Sequence, residues 1–175
     1  MNVKQDLRFV CDEMTSTLRY AESKHSIFVA FNGLAIFSAM GILRSLFSEK
    51  DPHMACLLGF TMLFLMLAIC TSMLSFFPQI IGEKLLESEQ QNKTNILFFG
   101  HAKVHTMDSY IEVLCTKYGA NLQDIGQFER GIISQIIVNA QLISRKFRLF
   151  KIAVIFDLLA VIVGLGGFLM KVLLA

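Results

Sequence analysis

The sequence predicts an all-α membrane protein: three transmembrane helices with long cytosolic helical extensions that form a helical bundle. Three observations predict it. The chain is 54% hydrophobic, above the roughly 45–50% of ordinary soluble domains. The excess collects in three blocks, at residues 27–47, 54–77 and 152–170, each close to the ~20 apolar residues that span a bilayer. The stretches flanking those blocks repeat their apolar residues every three or four positions, which is the spacing of one helix face. A chain of 175 residues is too short to bury three all-round-apolar helices as a soluble core.

Residues 2–24 read as an amphipathic cytosolic helix. Val3, Leu7, Val10, Met14, Leu18 and Ala21 form its stripe. No glycine or proline separates it from the first crossing, residues 26–47, so one helix runs into the membrane. More than twenty residues, many of them polar or charged, precede the first apolar block, which argues against a cleaved signal peptide. Ser48–His53 makes a short outer turn, and Pro52 suits the first position of the next helix. The second crossing, residues 53–77, carries Met54, Met62, Met66 and Met73, side chains that tolerate repacking. With the first it makes a transmembrane hairpin, 26–78.

Residues 79–150 read as a cytosolic helical sensor region. Its connector leads to Asn95–His101, NILFFGH, too short to span and too apolar to be solvated. Thr106-x-x-Ser109 and Asp108 open a helix through Tyr118, and Gly119-Ala120-Asn121 stops it. From Gln123 no proline interrupts the chain. Ile125, Phe128, Ile132, Ile136, Ala140, Ile143 and Phe147 repeat at helical steps. A basic collar, Arg145, Lys146, Arg148 and Lys151, precedes the third crossing, 151–172. The sequence thus predicts one long helix that is amphipathic at its start and wholly apolar at its end.

Three crossings place the amino terminus and the middle region on one side, with Lys4, Arg8, Arg19, Lys24, Lys84, Lys93, Lys103, Lys117, Arg130 and the collar. Only Arg44, Lys50 and Lys171 fall on the other side. The positive-inside rule makes the richer side cytoplasmic. Cys11, Cys56, Cys70 and Cys115 lack metal-ligand spacing, and no disulfide is expected.

No Walker loop, dinucleotide fingerprint, nucleophile elbow or H-E-x-x-H is present. His101 and His105 have the i, i+4 spacing of two metal ligands, but no third ligand stands near them in sequence. No cofactor, metal or nucleic-acid partner is expected, and no enzymatic activity. Asn32 and Asp157 are the polar groups at membrane depth. Asn32 reads either as a helix-packing hydrogen-bond partner or as the lining of an ion path. Asp157 reads either as a group that pairs with Lys151 or reaches the interface, or as the lining of a conduit. Asn95, Phe99, His101, Tyr110, Arg130, Gln135, Asn139 and Arg145 are the residue types that bind a small anionic nucleotide, whose base wants stacking rings and amide edges and whose phosphate wants a guanidinium. The same types occur in any helical domain near anionic lipid.

Three groups of residues carry a family resemblance. The first is Glu22, Lys24 and Asn32, at and inside the first crossing. The second is Pro78, then Asn95–His101 and Tyr110. The third is Asp124, Gln135 and the ISRKFRL collar ahead of the last crossing. In these the chain resembles the transmembrane effectors of bacterial Pycsar antiphage defence. It departs from the family pattern at Glu22, His25 and Phe147, where aspartate, alanine and tyrosine are usual. The resemblance implies a multi-pass inner-membrane protein encoded beside a pyrimidine cyclase. A cyclic pyrimidine mononucleotide, cyclic UMP or cyclic CMP, would activate it to impair the membrane and abort the infection. It implies no set of nucleotide-contacting residues. Three crossings make a poor pore alone, so a homo-oligomer in the lipid bilayer is expected. The alternative is a non-enzymatic membrane anchor or assembly protein that docks a protein partner through its cytosolic helices.

Overall fold

A computed structural model describes residues 3–49, 52–77 and 98–174. Every regular element among them is helical: α1 (Val3–Glu49), α2 (Pro52–Met73), α3 (Phe99–Ala102), α4 (Met107–Tyr118), a 3₁₀ turn (Leu122–Asp124) and α5 (Gln127–Leu174). Three of these helices, α1, α2 and α5, are long and apolar enough to cross a membrane. The all-α membrane class predicted from the sequence is the class observed.

The chain divides into two compact units. The first takes Met1–Ala21 and Pro78–Lys146, and the second takes Glu22–Phe77 and Phe147–Ala175. Helices α1 and α5 each contribute to both, unbroken over 47 and 48 residues.

In the first unit the start of α1 packs beside the start of α5. Lys4 and Arg8 sit over the Phe128 ring, 5.0 and 5.4 Å from its centroid, and further along Asn139 Nδ2 donates to Thr15 Oγ1 at 3.4 Å. The two helices therefore run parallel. Val3, Leu7, Val10, Met14 and Ala21 are buried, as their spacing predicts. Of the predicted α5 stripe, Ile125, Ile136, Ala140 and Ile143 are buried. Ile132 is half-buried and Phe128 is 54% exposed, while Ile133 and Ile137 join the buried face. Phe128 lies outside because its ring is used by two cations rather than by the core.

The ends of the shorter elements have local causes. Thr106 Oγ1 accepts from the Ser109 amide, and Ser109 Oγ accepts from the Thr106 amide, both at 3.1 Å. That reciprocal pair satisfies two orphan donors and starts α4. Gly119 ends it with φ of 67°, a left-handed conformation that a side chain resists. Helix α5 begins at Gln127, later than its periodicity suggests, because the 3₁₀ turn intervenes. Glu129, which reads in sequence as a solvated face, accepts from the Gly126 amide at 3.1 Å and caps that start.

In the second unit α2 runs antiparallel to its two partners. His25 lies against Ser72, while Leu57 and Thr61 lie beside Gly167 and Gly164. The exterior is apolar: Phe31, Leu34, Phe37, Phe60, Leu63, Ile162, Leu165 and Leu173 all stand exposed. The interior is mostly small or polar: Ala39, Ala55, Ala68, Ala153 and Ala160, together with His25, Asn32, Ser72 and Ser75, with Leu46 and Leu65 the large apolar residues buried there among the described residues. Soluble domains have the opposite pattern. An apolar outside with small residues at the helix contacts is how bundles pack in lipid.

Candidate functional site

Two clusters of polar side chains stand out, one in each unit; in the first, Asn139 is buried, Thr15 half-buried and Gln135 exposed. In the first unit the cluster forms where α1, α4 and α5 meet. Gln135 Nε2 donates to Asn139 Oδ1 at 3.0 Å, Asn139 reaches Thr15, and Thr15 Oγ1 donates to the Cys11 carbonyl at 2.9 Å. The Cys11 thiol is pushed up from its usual value by burial first and then by Asp12, with the Thr15 hydrogen bond opposing. Cys11 in turn is felt by Tyr110, which is fully buried (0% exposed) on α4. Burial, then Tyr118 and Cys11, hold the Tyr110 phenol far above the ordinary tyrosine range. A buried phenol with negative-going neighbours stays neutral.

Tyr110 packs edge-on against His105, with ring centroids 6.0 Å apart. His105 Nδ1 is 3.0 Å from Ser109 Oγ. The Tyr110 hydroxyl, His105 Nε2 and His101 Nδ1 are buried and make no hydrogen bond among the described residues. One turn away, Phe98 and Phe99 stack at 4.6 Å, and His101 meets Phe98 edge-on at 5.4 Å. Lys103 Nζ donates to Ser144 Oγ at 2.8 Å, and Gln141 Nε2 donates to the Lys103 carbonyl at 3.5 Å, fastening this turn to α5.

The structure thus gathers Tyr110, Gln135 and Asn139 of the sequence candidates along one polar seam, with Phe99 and His101 at the adjoining α3 turn. Arg130 is exposed on α5 and has no part in the seam, and Arg145 is half-buried further along. Asn95 lies outside the described residues. His105, Cys11 and Thr15 were not among the candidates. His105 had been weighed only as a metal ligand, and among the described residues no group of three potential ligands gathers to hold a metal ion. Thr15 was detectable: it sits beside Met14 on the buried edge of the stripe.

In the second unit the cluster lies within the helix bundle. His25, 1% exposed, continues the α1 stripe four residues beyond Ala21, and its Nδ1 is 2.6 Å from Ser72 Oγ. Its ring sits between Phe150 at 5.3 Å and Phe76 at 6.0 Å. Lys24 lies over Phe147 and Phe150, at 5.8 and 5.9 Å. Seven residues on from His25, Asn32 is fully buried, and neither end of its amide has a hydrogen-bond partner among the described residues. Asp157 is half-buried on α5. The collar residues differ among themselves: Lys146 is 9% exposed and Arg145 half-buried, while Arg148 and Lys151 are exposed.

These features define a class: a helical membrane protein in which two helices are shared between a membrane-spanning bundle and a second helical unit with a partly buried polar seam. The particular family follows from comparison with known proteins. The model of the Pycsar effector protein domain, PycTM, matches residues 6–173, and the chain belongs to that family. No curated protein and no solved structure matches the chain.

Proposed function

We propose that this Pycsar effector is an inner-membrane sensor and executioner: a cyclic pyrimidine mononucleotide binds the first unit and the second unit then impairs the membrane. The observation that carries this is α5, one unbroken helix from Gln127 to Leu174. Its first half holds Gln135 and Asn139 of the polar seam, and its second half is a membrane span. A ligand that binds one arrangement of the seam better than another shifts the population of that helix. The first unit and the amino terminus are cytoplasmic, where a cyclase would deliver the nucleotide.

Asn32 and Asp157 are the groups we assign to the damaging state. An amide sealed among helices without a partner is costly in hydrocarbon, and a helix arrangement that lets water reach it is correspondingly favoured. Several copies assemble to make the lesion, since three crossings make a poor pore alone. The infected cell loses its membrane potential before phage mature.

The test is expression in bacteria with a potential-sensitive dye, then supply of cyclic UMP or cyclic CMP. Depolarisation within minutes of supply of one of them is expected. No depolarisation with either nucleotide, together with purification bound to a stoichiometric protein partner, would instead mark an assembly anchor.

A further inference from the structure

The Tyr110 hydroxyl and His105 Nε2 are buried polar atoms that find no hydrogen-bond partner among the described residues. Buried polar groups are paired in nearly all native structures, and the exceptions call for a partner that is missing. The two rings meet edge-on with centroids 6.0 Å apart, so the two side chains are neighbours. His105 is fixed from its other nitrogen by Ser109, which orients the imidazole and leaves Nε2 as its open position. Tyr110 is fixed by complete burial on α4. A phenol hydroxyl both donates and accepts, and the open imidazole nitrogen adds a second hydrogen-bonding position beside it, which together match a donor–acceptor edge. The nearest ammonium on that turn, Lys103, is engaged with Ser144.

Building on the proposed function, we propose that His105 and Tyr110 receive the hydrogen-bonding edge of the pyrimidine ring, and that phosphate is held elsewhere. The pair would then set which base is sensed. A site that hydrogen-bonds a ligand edge discriminates sharply, because a ligand lacking the match leaves the buried groups unpaired again.

The experiment uses the full chain in nanodiscs and equilibrium dialysis with cyclic UMP, cyclic CMP and the N3-methylated analogue of whichever binds. Tyr110→Phe removes one oxygen and keeps the ring. It is expected to weaken binding about tenfold, with a thermal midpoint equal to or above wild type. The N3-methylated analogue is expected to bind wild type about tenfold more weakly too, and Tyr110→Phe should discriminate less between the two ligands. Equal affinity of Tyr110→Phe and wild type, or equal affinity for the methylated ligand, overturns this assignment while leaving nucleotide sensing intact; the orphan atoms would then be hydrated or simply buried. No binding of either nucleotide by wild type overturns the sensing proposal itself and this assignment with it.

Discussion

Tyr110 and Asn32 are the same problem solved in two solvents. Each is a polar side chain with no exposure and, among the described residues, no hydrogen-bond partner for its side-chain polar atoms. For Tyr110 the consequence shows in pH. The folded state holds its phenol neutral, well above the ordinary value of 10.0. The unfolded chain therefore releases this proton first as pH rises. Stability from this group is complete below about pH 10 and falls above it by up to ~1.4 kcal/mol per pH unit. Cys11, also raised, acts in the same direction from a lower starting point. Alkaline denaturation followed by circular dichroism should show a shallower loss above pH ~10 in Tyr110→Phe than in wild type. Parallel slopes would mean the phenol is not buried in the folded protein. For Asn32 the solvent is lipid, and the readout is stability itself. Asn32→Val removes an amide that nothing satisfies, and it should stabilise the bundle in detergent by about 1 kcal/mol or more. The same variant should depolarise cells less. A less stable Asn32→Val would show that the amide has a partner in the membrane.

At the scale of elements, what the sequence made legible was periodicity, and what it hid was choice among equivalent positions. The α1 stripe from Val3 to Ala21 is buried as its spacing predicts, because charges fill every other face and leave one solution. On α5 the apolar residues are too many for one stripe, so spacing alone did not distinguish Ile132 from Ile133 or reveal that Phe128 serves Lys4 and Arg8. The cap at Thr106 and the stop at Gly119 were readable because each depends on residues within one turn. The contact of His25 with Ser72 joins positions 47 apart in sequence, and no local signal points to it. Glycines on the α5 span show the same limit. An added Cβ at Gly167 would lie 3.0 Å from Leu57 Cδ1, whereas one at Gly166 would meet nothing within 4 Å. Gly167→Val should therefore push α2 away and destabilise the bundle by about 1–3 kcal/mol, while Gly166→Val should leave the unfolding midpoint near wild type. Equal effects at the two sites would mean that α2 does not pack on this face.

For the whole molecule the question is whether binding in one unit has any mechanical route to the other. Helices α1 and α5 are continuous through the boundary at residues 21–22 and 146–147. A continuous helix carries rotation and translation of its start to its end, because each turn is fixed to the next by backbone hydrogen bonds. Its stiffness at the boundary is reinforced by packing on the membrane side, where Lys24 covers Phe147 and Phe150. Insertion of Gly-Gly-Ser between Lys146 and Phe147 should break the α5 route, since glycine at helix-interior positions costs about 1 kcal/mol apiece and leaves the backbone free to bend. Each unit keeps its own packing, so nucleotide affinity measured by dialysis should stay within about twofold of wild type. Nucleotide-driven depolarisation should be lost. If the insertion weakens binding as much as it weakens depolarisation, the seam itself depends on the intact helix. If depolarisation survives at wild-type strength, the route through α5 is not the one used, and the coupling must run through α1, where the same insertion between Ala21 and Glu22 is the decisive variant.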